Sequence, residues 1–268
     1  MTQPLLTHYR LGTGVVAFSS TRHGGYSQGH YAAFNINNYC GDDPAAIQKN
    51  REALCHLLGI EDKRLLMPHQ VHRAEVAYIN TSFLDLTPEE QKGKLEGIDA
   101  VMTNVPGVCI GVSTADCIPI LLYDQQKRVV AAVHAGWRGT VQRIAKKAVE
   151  VMKATYGSSP SDLLAQIGPG ISLKSFEVGQ EVYDAFAAEG FSMEPISCLM
   201  PSSQGVGNGE KWHIDLPACN CQQLLEAGLR SEQIHTLHVC TYEQHADYFS
   251  ARRLGIHSGR IFTGIMLK

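Results

Sequence analysis

Two residue types able to bind a metal or act as a nucleophile stand at the ends of neighbouring apolar runs. In "TADCIPILLYDQQKRVVAAVHAGWRGT", residues Thr114 to Thr140, Cys117 opens one run and His134 closes the next, 17 residues later. Gly-Trp-Arg-Gly follows at once. A third polar point lies upstream, where "RLLMPHQVHRAEVAYI" sets His69, Gln70 and His72 between two apolar runs. Polar residues that terminate apolar strands gather at the rim of a sheet, where clefts form.

Two chemistries suit a cysteine with two histidines in such places. One is a metal site: a thiolate and two neutral imidazoles suit zinc and leave a fourth position open, the pattern of catalytic rather than structural zinc. Copper also accepts nitrogen and sulfur ligands, so the metal stays open at this point. The other is a nucleophile pair, with His134 raising the thiolate fraction of Cys117. Spacing does not choose between them, because His72, Cys117 and His134 lie too far apart for a zinc signature. Each also has a bland explanation: a cysteine beside an apolar run is more often core, and a strand-end histidine more often a hydrogen-bonded surface residue.

Arginines add anion-binding capacity. Arg138 follows Trp137 in a glycine-flanked turn that opens a helix, where backbone N–H groups and a guanidinium together suit an anion. Arg51 lies in a helical stretch, and Arg22 in the Gly-rich "STRHGG".

These residues need a frame. Apolar, β-branched runs predict strands in "GVVAFSS", "AEVAYIN", "IDAVMTN", "VCIGVST", "IPILLYD", "RVVAAVH", "LLAQIG" and "IHTLHVC". Helices are expected in "DDPAAIQKNREALCHLLG", with Asp43 as N-cap, Pro44 in the first turn and Gly59 as C-cap, and in "GTVQRIAKKAVEVMKATYG", "VGQEVYDAFAAEG" and "DLPACNCQQLLEAG". Strand-like runs outnumber helices without strict alternation. The expectation is an α/β or α+β layered sandwich, a mixed β-sheet core flanked by helices. "TPEEQKGKLEG" reads as a polar insertion between strands, and "PSSQGVGNGEK" as a surface loop.

The chain of 268 residues has 44% hydrophobic and 18% charged residues and a net charge of -3. That balance is globular, and the length suits one large domain or two small ones, with no long linker in the chain. With no basic block longer than a pair, nucleic acid is not an expected partner. No run approaches the ~18 apolar residues of a membrane span, and the N-terminus lacks a signal-like stretch, so the expected location is the cytoplasm. The eight cysteines are scattered and read as reduced thiols. The CxC of Cys219 and Cys221 has no second cluster to complete a metal knuckle.

The segments "TRHGGYSQGHYAAFNINNYCGDDPAAIQKNR", "HQVHRAEV", "DAVMTNVPGVCIGVSTADCIPILLYD", "VVAAVHAGWRGT", "IGPGISLKSFEVGQEV" and "CTYEQHADYFSARRLGIHSGR", in this order, resemble the YfiH-like family. That family was long labelled multicopper polyphenol oxidoreductase, or laccase-domain, and is understood as purine nucleoside phosphorylases and adenosine deaminases. The resemblance implies metal ligands at His72, Cys117 and His134, with zinc as the metal and copper able to enter. It implies phosphorolysis of adenosine, inosine, guanosine and methylthioadenosine, and hydrolytic deamination of adenosine. It also implies a layered α/β sandwich shared with cysteine-hydrolase-like toxin domains. Two stretches depart from the usual pattern: "FNINNYCGDD" stands for "NLGxHVGDD", and "SARR" for "SYRR".

Within that reading, Asp116 is the expected carboxylate for proton transfer, and His69 the expected acid toward the leaving base. Arg51 and Arg138 are expected to hold phosphate, and Gln70 to contact substrate. The expected partners are purine nucleosides and phosphate, on a monomer or small homo-oligomer. Laccase chemistry is the rival, although the chain has no His-x-His pair of the kind a trinuclear copper centre needs. A non-enzymatic role as a partner protein finds no exposed amphipathic run to support it.

Overall fold

The strongest local signals build the elements that the spacing predicts. Asp43 caps the first helix by accepting from the Ala45 N–H, Pro44 occupies its first turn, and Gly59 ends it at φ +68°. Ala46, Ile47, Asn50, Ala53 and Leu54 are buried along one face at three- and four-residue steps. The computed structural model describes residues 3–202 and 209–268.

In chain order the strands are β1 (Leu6–Tyr9), β2 (Val15–Ser20), β3 (Leu65–Leu66), β4 (Val76–Ile79), β5 (Ala100–Thr103), β6 (Cys109–Thr114), β7 (Ile118–Asp124), β8 (Val129–Ala135), β9 (Leu163–Ile167), β10 (Glu177–Val178), β11 (Ser197–Pro201), β12 (Glu210–Ile214), β13 (Ile234–Thr236) and β14 (Ile261–Leu267). The helices are α1 (Pro44–Leu58), α2 (Thr81–Leu84), α3 (Pro88–Lys94), α4 (Trp137–Val141), α5 (Ile144–Tyr156), α6 (Gln180–Ala188), α7 (Leu216–Glu226) and α8 (Ala251–Leu254).

The mixed α/β reading holds, but the sheet is not one. A six-stranded sheet of order β13-β9-β7-β8-β5-β4 stacks on a five-stranded sheet of order β1-β2-β14-β6-β3, and a third has order β10-β12-β11. The reason lies in double burial. Along β7, Ile118, Ile120 and Leu122 face a core shared with Ala148, Val149 and Met152 of α5 and Leu224 of α7. The alternate Leu121 and Tyr123 face a second core with Ile110, Val112, Ile265 and Leu267 of the other sheet. A strand buried on both faces reads as one continuous apolar run, so its sequence does not say what covers either side. Beyond the five-stranded sheet, Phe18, Cys109 and Phe262 pack on Leu54 and Cys55 of α1. The layers therefore run helix, sheet, sheet, helices.

Other departures are local. The long helix expected after Gly139 starts earlier, at Trp137, and breaks into α4 and α5, with Arg143 between them at φ +61°. Of "IHTLHVC" only Ile234–Thr236 pairs as a strand. The polar insertion holds α3, opened by a Thr87–Glu90 capping box. Strands β1, β3, β10, β11, β12 and β14 have no counterpart among the expected runs, although β14 is central to its sheet. The expected surface loop is flanked by β11 and β12, and its residues 203–208 lie outside the described residues. Among the described residues, no helix is long and apolar enough to cross a membrane.

Candidate metal centre

The 17-residue interval between Cys117 and His134 is a hairpin. Strands β7 and β8 pair antiparallel with Ile118 opposite Ala135 and Pro119 opposite His134. Continuing that register one step sets Cys117 opposite Gly136. His72 arrives separately, from the bend before β4, at φ +62°. The ligand atoms of His72, Cys117 and His134 lie within 4.8 Å of one another. The two imidazoles meet edge to face at 4.9 Å.

Asp99, at the head of β5 and fully buried, joins these elements. Its carboxylate accepts from His134 Nδ1 at 2.7 Å and from the backbone N–H groups of His72 at 3.0 Å, Arg73 at 2.8 Å and Val71 at 3.2 Å. Its carbonyl accepts from the His134 N–H at 2.8 Å. One side chain thus fixes the bend that carries His72 and orients the His134 ring, leaving Nε2 to face the sulfur. Burial alone would push the Asp99 carboxyl up, but His134 and the N–H donors outweigh it and hold the carboxyl low.

The same balance sets the thiol. Burial opposes ionisation of Cys117, yet the charges and hydrogen bonds of His134 and His72 pull it down to about 6. His134, despite burial, is raised to about 9 by the thiolate and by Asp99. In metal-free protein the pair therefore favours thiolate and imidazolium, which is also the electrostatics of a nucleophile pair. The second histidine tips the donor set toward a metal. Zinc bonds of about 2.0–2.3 Å need donors somewhat closer than the span seen here, and the exposed His72 side chain has room to close it. Three donors leave one position for water or substrate.

Glycine at 136 is a packing requirement. A Cβ there would lie 2.9 Å from His72 Cδ2 and 3.0 Å from Cys117 Sγ.

The trio lies in the wall of a cavity of about 290 Å³. His69 lines it too; its Nδ1 is 2.6 Å from Glu96 Oε1 and its ring stacks on Tyr39 at 4.0 Å. Gln70 also lines it, but its amide is spent on β6: Nε2 donates to Ser113 O at 2.8 Å, and Oε1 accepts from Ser113 N at 2.7 Å. The remaining expected residues are not in the wall. Arg51 ion-pairs with Asp62 at 2.9 Å and donates to Leu65 O. Arg138 is exposed and stacks on Trp137 at 4.2 Å.

Asp116, at φ +89°, turns its carboxylate away from the trio. Oδ1 accepts from Thr241 Oγ1 and Oδ2 from the Arg252 N–H, both at 2.7 Å. A non-glycine residue there costs on the order of 1 kcal/mol or more, and these bonds hold it in place. Asp116 therefore aims the turn that presents Cys117.

Sequence reasoning missed Asp99, Glu96, Tyr39, Gly136, Arg260, Ser113 and Thr114. Asp99 carried a signal, a lone acid at the head of an apolar strand. Arg260 stood in a quoted segment without being singled out.

The family described as "Multi-copper polyphenol oxidoreductase laccase" matches residues 16–268. The chain belongs to this family. Among relatives, it is 43% identical to a protein named purine nucleoside phosphorylase from Bacteroides thetaiotaomicron, over 93% of this chain and 90% of that one. It is also 43% identical to one named adenosine deaminase RL5, from an unknown prokaryotic organism, over 95% of each. The crystal structure of YlmD from Geobacillus stearothermophilus superposes with a TM-score of 0.86 at 30% identity, covering 96% of this chain and 93% of that one. Both stretches that depart from the usual family pattern reach the cavity: Asn37, Tyr39 and Cys40 from the first, and Ala251 from the second, line it.

Proposed function

We propose that this chain is a metal-dependent purine nucleoside phosphorylase that also deaminates adenosine, with His72, Cys117 and His134 as ligands of a zinc ion. The observation that carries this reading is the convergence of three ligand side chains, from separate parts of the chain, in the wall of one cavity. Relatives bearing both names, at 43% identity over nearly the whole chain, support it.

When bound, the divalent ion supplies Lewis acidity, lowering the pKa of water to about 7. The chain's own residues do the rest. In phosphorolysis a phosphate oxygen bonds to C1′ as the C1′–N9 bond breaks, and the bond's electron pair passes to the purine. His69, oriented by Glu96, is the acid that protonates the departing base. The proton balance closes because hydrogen phosphate gives up the proton that the purine takes. In deamination water adds at C6 and ammonia leaves, and the same His69–Glu96 pair moves the protons. Asp116 cedes that role, because both of its oxygens are engaged elsewhere. Gln70 shapes the wall by pinning Ser113.

The family description raises oxidation of phenols by several coppers as the rival. Among the described residues, His72, Cys117 and His134 form the one group with metal-binding geometry, which suits a single ion. Purified protein given adenosine with and without phosphate, followed by chromatography, should yield adenine and ribose 1-phosphate in the first case and inosine in both. A phenol-oxidation control should stay blank. Cys117→Ala or His134→Ala should abolish zinc binding and turnover together; full activity in metal-stripped Cys117→Ala would reject the mechanism.

A further inference from the structure

The cavity has a second polar end. Its described lining residues include a guanidinium, Arg260, and three imidazoles, and none of them is Asp or Glu. The nearby carboxylates stand one layer back, Glu96 on His69 and Asp99 on His134. Such a wall attracts anions, and a divalent ion in the trio would strengthen the field.

Arg260 is built into place. Nη1 donates to the carbonyls of Ser258 and Gly259, and Nη2 to that of Ile256. Its backbone N–H donates to Asn35 Oδ1. This leaves Nε–H without a partner among the described residues. The guanidinium is held by carbonyl oxygens rather than neutralised by a carboxylate, so its charge remains available and its position is preset.

The ladder between β6 and β14 brings hydroxyls to the same place. Ile261 pairs with Thr114 and Phe262 with Ser113, so Arg260 adjoins the turn running from Thr114 to Cys117. Ser113 and Thr114 both line the cavity, are 6% and 1% exposed, and neither hydroxyl has a hydrogen-bond partner among the described residues; Ser113 shares the face of Arg260 and Phe262, and Thr114 that of Ile261. Gln70 clamps the Ser113 backbone from the other side. An unpartnered buried hydroxyl, Ser113, on the same face of the ladder as a fixed, unneutralised guanidinium lacks only an acceptor-rich ligand.

We propose that Arg260 and Ser113, with Thr114 at the end of β6 next to them, form the seat of a tetrahedral oxyanion, inorganic phosphate, a few residues along the chain from the Cys117 ligand. This replaces Arg51 and Arg138, which stand outside the cavity wall. The identity of the anion as phosphate rests on the phosphorylase reading; the seat itself rests on the wall.

The test is calorimetric titration of sodium phosphate into the zinc-loaded full chain, without nucleoside. It is repeated on zinc-loaded Arg260→Gln and on the double variant Ser113→Ala/Thr114→Val. Because Arg260 also ties its own loop, the double variant carries the decision; it removes hydroxyls that bond nothing among the described residues, and its melting temperature and zinc content should match wild type. Wild type should bind phosphate, and both variants should bind about tenfold more weakly or worse. The seat is overturned if wild type binds no phosphate, or if the double variant binds within twofold of wild type. Phosphate binding without nucleoside turnover would sink the phosphorylase reading and leave the seat standing. Phosphorolysis with an unchanged phosphate KM in the double variant would sink the seat and leave that reading.

Discussion

Replacing Gly136 by alanine tests the ligand geometry through one carbon atom. The backbone at Gly136, φ -69° and ψ 168°, is open to any residue, so alanine adds no backbone strain. The added Cβ would sit 3.0 Å from Cys117 Sγ and 2.9 Å from His72 Cδ2, well inside the roughly 3.5–4.0 Å of ordinary contact. Relief requires two of the three ligands to move by several tenths of an ångström in a packed wall. Disturbing what orients metal ligands typically costs about 10–100-fold in affinity, which is about 1.4–2.7 kcal/mol at 1.4 kcal/mol per tenfold. Zinc affinity, measured by competition with a chromophoric chelator, should fall by that factor. Gly136 also caps α4, so Gly136→Ser is the control, restoring a capping side chain while keeping the Cβ. Both variants should lose zinc alike. Wild-type zinc affinity in either one would refute the geometric argument.

Asp99→Asn keeps one acceptor oxygen but turns an amide toward backbone N–H groups; chemical denaturation should show a loss of about 2–4 kcal/mol, and zinc binding should weaken by about tenfold or more. In metal-stripped protein, with the Cys117 thiol drawn down to about 6, alkylation should reach its plateau near neutral pH and fall away as pH drops below 6. Peptide mass spectrometry should find Cys117 modified before the buried Cys109 and Cys219, whose thiols burial pushes up, and zinc should protect it. His69→Gln should lower kcat for phosphorolysis by about 10²–10⁴-fold while zinc content stays at the wild-type level; an unchanged kcat would remove His69 from the chemistry.

The parts that depend on near neighbours were legible in the amino-acid order alone. Asp43, Pro44 and Gly59 bound α1 because caps and turn residues act within a few positions. The apolar runs ending in Cys117 and His134 announced strands whose ends carry chemistry. The order of the quoted segments was enough to mark the family, as the match over residues 16–268 bears out. The stacking of the sheets emerged in the folded chain alone, since strands apolar on both faces do not name their partners. Only there is it visible that Asp99 gathers the His72 bend and the His134 ring, that Asp116 turns to Thr241 and Arg252, and that Arg260 rather than Arg51 or Arg138 enters the cavity wall. Those outcomes are long-range. They follow from ladder register and from hydrogen bonds such as His72–Asp99 and Arg252–Asp116, 27 and 136 positions apart, which local patterning does not encode.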